Sequence, residues 1–95
     1  MFKMTISFPF KDPDEVLDYT LDWSARITTD PIFSSTWLTP SPAGLTIATA
    51  SFASFTTLVW LEDGTLGSTY QLTNRIVTVG GRTMDQTCKI KIRGK

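Results

Sequence analysis

The sequence contains no histidine. That removes the Ser-His-Asp and Cys-His arrangements, and with them the side chain that most often serves as a general base near neutral pH. It also removes metal sites built from histidine and cysteine together. Cysteine occurs once, as Cys88, so no internal disulfide can form. A lone thiol without a histidine beside it reads as a small buried apolar residue. Lys89 flanks it, but neighbours along a strand point to opposite faces. A single cysteine fits folding in a reducing compartment. Excess charge is absent as well: nine basic and nine acidic residues give a formal net charge of zero. A general nucleic-acid binder carries clear positive excess, so no nucleic-acid partner is expected, while repulsion against self-association is weak. No run approaches the ~18 apolar residues of a membrane span. The opening MFKMTISFPFKDPDE lacks the continuous apolar core and the small-residue cleavage site of a signal peptide. Neither a membrane partner nor export is therefore expected. No phosphate loop is present, and Gly64-Thr65-Leu66-Gly67 is too short for a dinucleotide fingerprint.

What the sequence does contain is alternation. The 95 residues are 41% apolar and 12% aromatic, enough for one thin-cored domain over residues 1–95. Phe2, Met4, Ile6 and Phe8 alternate with polar residues up to Pro9. Leu17, Tyr19, Leu21, Trp23, Ala25 and Ile27 form one face of a second strand, and Asp18, Thr20, Asp22, Ser24 and Arg26 the other. Further strands are expected over Ile32 to Leu38, Leu45 to Ser51, Phe55 to Leu61, Thr69 to Val79 and Thr83 to Arg93. Gly80-Gly81 reads as a two-residue hairpin loop, with positive φ tolerated at both positions. Phe10 to Glu15 reads as a polar turn with Pro13 at its centre, with one helical turn over Asp12 to Leu17, capped by Asp12, as the alternative. Seven short strands separated by turn signals predict an all-β fold, an immunoglobulin-like β-sandwich, with a small closed β-barrel as runner-up. Trp37 stands where such sandwiches carry a core tryptophan, and Tyr70 where they carry a corner tyrosine.

The polar residues offer surfaces rather than chemistry. Asp18 and Asp22 lie four residues apart on a strand, about 13 Å between Cα atoms. A pair of catalytic carboxylates needs about 5–9.5 Å, so these read as a solvated strand face. Asp12, Asp14 and Glu15 form an acidic turn without the spacing or glycine of a calcium loop. Lys89, Lys91 and Arg93 share one face of the last strand, and Arg75 is placed to join them. In an immunoglobulin-like order the second and seventh strands belong to opposite sheets. An acidic and a basic outer face then suit head-to-tail association of copies of this chain, closing as a ring. The fifth strand is apolar on both faces, so Trp60 either lies under a loop or belongs to a docking patch. Phe8 and Phe10 on the first strand, and Phe33 in the loop from Thr28 to Ser35, complete the candidate contacts. A carbohydrate-binding or adhesion module stays open as an alternative if Trp60, Phe33 and Tyr19 are exposed together.

The segments KDPDEVLDYTLDWS, STWLTPSPAGLTI and VWLEDGTLGSTYQLTNRIVTVGGRT, in this order and spacing, carry a more specific signal. Over about Lys11 to Lys91 the chain resembles the bacteriophage fibre–tail adaptor proteins, small virion proteins of tailed phages. The resemblance implies a non-enzymatic structural protein with an immunoglobulin-like fold and no cofactors. Its partners would be other tail, neck or fibre proteins. Its place would be the virion tail or neck, after synthesis in the host cytoplasm. The resemblance covers neither the Phe-rich first strand nor Ile27 to Phe33.

Overall fold

Alternating apolar and polar side chains carry most of the chain into strands, because period 2 puts one set into a core and leaves the other in water. The computed structural model describes residues 5–94. Its elements follow in the order β1 (Ile6–Ser7), β2 (Leu17–Asp22), α1 (Ser24–Ile27), β3 (Ile32–Trp37), β4 (Leu45–Phe52), β5 (Thr56–Asp63), β6 (Thr69–Thr78) and β7 (Thr83–Lys91). They form a four-stranded sheet, β1-β7-β6-β3, and a three-stranded sheet, β2-β5-β4. The two sheets are separate layers, so the fold is a sandwich and not a closed barrel. From β2 onward the order is that of an immunoglobulin-type sandwich, with second, fifth and fourth strands against third, sixth and seventh. The first strand sits on the other sheet's edge, parallel to β7, with Ile6 opposite Cys88.

The inward faces meet as expected from the alternation. Tyr19 and Leu21 from β2, Val59 and Leu61 from β5, Leu72 and Ile76 from β6, and Cys88 and Ile90 from β7 are all buried. Each fully buried aliphatic side chain contributes about 1.5–3 kcal/mol relative to an exposed one. One buried polar network crosses this core. Trp23 Nε1 donates to Thr57 Oγ1 at 3.2 Å and to Asn74 Oδ1 at 3.1 Å. Thr57 Oγ1 also donates to Asn74 Oδ1 at 2.7 Å, and Asn74 Nδ2 donates to Ser35 Oγ and the Thr36 carbonyl.

Four sequence expectations change. The strand from Leu17 stops at Asp22, where Oδ1 accepts the Ser24 N–H at 2.9 Å. One helical turn follows, with the Ile27 N–H donating to the Trp23 carbonyl. Trp23 and Ile27 are four residues apart, so the turn buries both, and their period-2 placement could not reveal it. The fully buried tryptophan is therefore Trp23, while Trp37 is only half-buried. The glycine hairpin is longer than two residues: the Thr78 N–H donates to the Arg82 carbonyl, and only Gly81 takes a positive φ, of 91°. Gly80 lies close to Asp30: its N–H donates to Oδ1 at 2.8 Å, and a Cβ there would lie 2.8 Å from Oδ2, so any larger residue would have to displace that carboxylate. Asp12 caps no helix. Residues 12–15 form a turn, closed by the Glu15 N–H on the Asp12 carbonyl and the Asp12 N–H on Glu15 Oε1. Of the first-strand alternation, Phe2 and Met4 lie outside the described residues. Tyr70 is the corner tyrosine the sequence suggested: its hydroxyl accepts the Thr65 N–H at 2.9 Å.

Candidate docking surfaces

The outer face of β2-β5-β4 is built from cross-strand rows. Asp18 lies opposite Trp60, which lies opposite Thr49; Thr20, Leu58 and Ser51 form the next row, and Asp22 faces Thr56. None of these three strands contains a lysine or arginine, whereas Asp18, Asp22, Glu62 and Asp63 all belong to them. Asp22 is held below the usual carboxylate range by its hydrogen bonds from Ser24. Trp60 is 37% exposed in the middle of this acidic face.

The outer face of the other sheet has the opposite sign. Gln71 pairs with Lys89 and Thr69 with Lys91, and both lysines are exposed. Arg75 does not add to this group, because Asp85 holds its guanidinium through two bonds, at 2.8 and 3.0 Å. Arg93 lies 4.6 Å over the ring of Phe10, joining a cation to an exposed aromatic beside the end of β7. The two outer faces thus differ in sign, and each is carried by strands of one sheet.

The remaining candidate residues are distributed unequally. Phe8 belongs to the core and not to a contact surface: it is 8% exposed and stacks on Tyr19 with ring centroids 4.7 Å apart. Phe33 is 69% exposed at a bulge near the start of β3. Tyr19 is buried, Phe33 stands on one sheet and Trp60 on the other, so the aromatics considered for a sugar platform are not assembled.

Lys11 is the residue sequence reasoning missed. It is fully buried, and its Nζ donates to the carbonyls of Asp12 at 2.9 Å and Asp63 at 2.6 Å. Burial lowers its pKa, against the opposing pull of Asp63, Glu15, Asp12 and Asp14. Its backbone joins both Lys91 and Arg93, so it fastens the segment after β1 to the end of β7. A lysine carries no sequence signal for burial.

Burial pushes the Cys88 thiol up to about 12. Among the described residues no three potential ligands of the His, Cys, Asp and Glu type converge on a metal position. What the described residues present is two sheet faces of opposite charge with exposed aromatics. No curated protein matches the chain. The family model of the podophage GP4 fiber-tail adaptor protein gp77 matches residues 11–91, nearly the whole chain, and the chain belongs to that family.

Proposed function

We propose that this chain is a non-enzymatic structural adaptor of the virion, made in the host cytoplasm and present in several copies at the tail or neck, where it joins fibres to the tail. Family membership supports the adaptor role. The observation that carries the finer reading is the division of charge between sheets: acids without bases on β2-β5-β4, and Lys89 and Lys91 exposed on β7. A copy can set its acidic face on the basic face of the next. Such a head-to-tail contact closes as a ring when the rotation permits. Zero net charge keeps association between copies free of overall repulsion and leaves no general attraction to nucleic acid or an anionic membrane.

Charge reversal tests this reading. Asp18→Lys with Asp22→Lys should abolish concentration-dependent association at low salt, and so should Lys89→Glu with Lys91→Glu. Mixing the two variants should restore mixed assemblies, measured by sedimentation velocity. Unchanged association of either variant would count against the face-to-face contact.

A further inference from the structure

From Pro31 to Leu61 the chain carries no charged residue. This stretch contains β3 and β4, which are edge strands of the two sheets. The other edges are guarded. β2 carries Asp18 and Asp22, and β7 carries Lys89 and Lys91 and is partly covered by β1. Charge on an edge is a device against pairing with another chain. β4, with the sequence LTIATASF, has neither charge nor proline, and its bulge falls at Ala48. The regular run Thr49 to Phe52 is therefore an open ladder.

Side-chain size along that run is self-complementary. Ala50 pairs with Val59 and Phe52 with Thr57, both partners being core residues, so Ala50 and Phe52 point to the inner side of their sheet. Yet Ala50 is exposed and Phe52 is 46% exposed. They flank an open groove of about 320 Å³, lined by Ser35, Ala50, Ser51 and Phe52. We propose that β4 is the edge on which two copies of this chain meet, antiparallel and centred on Ser51. In an antiparallel pair, directly opposite residues share a face. Centring on Ser51 places each Phe52 opposite the partner's Ala50, so a large side chain enters the groove that a small one leaves open. The contact is isologous, and a charge-free edge meets its own copy without like-charge repulsion. It uses neither charged sheet face, so it is independent of the head-to-tail contact above.

The test uses the purified full chain at salt high enough to screen surface charge pairs. Ser51→Cys is expected to form an intermolecular disulfide on mild oxidation, because directly opposite strand residues lie about 4.5–5.5 Å apart between Cα atoms, within disulfide reach. Thr46→Cys, on the same strand beyond the bulge, is expected to stay uncrosslinked, and buried Cys88 provides an internal negative control. In sedimentation, Ala50→Lys should weaken the dimer about tenfold or more by placing a charge in the groove, whereas Thr49→Lys, on the outer face, should weaken it less. Thermal unfolding of both variants at dilution verifies that they fold. A chain that stays monomeric in high salt, or Thr46→Cys crosslinking as readily as Ser51→Cys, would overturn the proposal. Either result leaves the low-salt, charge-dependent association to be judged on its own.

Discussion

Asn74 accepts hydrogen bonds from Trp23 and Thr57 and donates to Ser35 and the Thr36 carbonyl, so its amide joins the two layers across their shared core. Truncating it strands several buried groups at once. Asn74→Ala should cost about 3 kcal/mol and lower the melting temperature by roughly 15 °C, measured by calorimetry. Cys88 and Tyr19 set the alkaline limit. Burial raises the thiol from 9.0 to about 12, and burial with Glu15 and Asp18 nearby raises the phenol from 10.0 to about 12. The folded chain keeps both groups neutral where the unfolded chain ionises them. Their stabilisation is therefore full below pH 9 and is lost as pH rises toward 12. Denaturant titrations across that window should show the decline, and a thiol-reactive reagent at neutral pH should leave native Cys88 unmodified. Trp60→Ala removes an exposed ring from the acidic face. It should weaken association while shifting the unfolding midpoint little, and a large loss of stability would instead make Trp60 structural.

The corner joining the turn after β5 to β6 shows how one hydroxyl fixes a loop. Tyr70 accepts the Thr65 N–H, and a Cβ on Gly44 would lie 2.7 Å from that hydroxyl, at a φ of 129°. Gly44→Ala should thus destabilise the parent chain more than it destabilises Tyr70→Phe, a coupling that a double-mutant cycle measures. Elements differed in how openly the sequence declared them. β7 was legible because its alternation matches a face buried against the opposite sheet, and β5 was legible as an apolar run between turns although both its faces are apolar. α1 was hidden because Trp23 and Ile27 satisfy both a period of two and one helical turn. Trp37 was expected as the core tryptophan from its place on the third strand, whereas the fully buried one is Trp23, already set on an apolar face, whose indole finds Thr57 and Asn74 as partners. Acidic Asp18 and Asp22 and basic Lys89 and Lys91 were read onto opposite sheets from strand order alone. Lys11 was not, because one of the two carbonyls that hold its ammonium, that of Asp63, is brought by a turn far along the chain.

At the scale of the whole molecule, zero net charge conceals a division between the sheets. Acids gather on β2-β5-β4, the free lysines stand on β7, and the flank of β3 and β4 carries no charge. Each surface suits a different contact. Salt separates them physically: contacts between the sheet faces should weaken as ionic strength rises, whereas a neutral strand edge should not. The most direct measurement is a density map of the intact particle at side-chain resolution. This chain is expected at the tail in several copies, with Asp18 and Asp22 of one copy facing Lys89 and Lys91 of the next. A particle without the chain, or copies whose charged faces both point to solvent, would contradict that expectation.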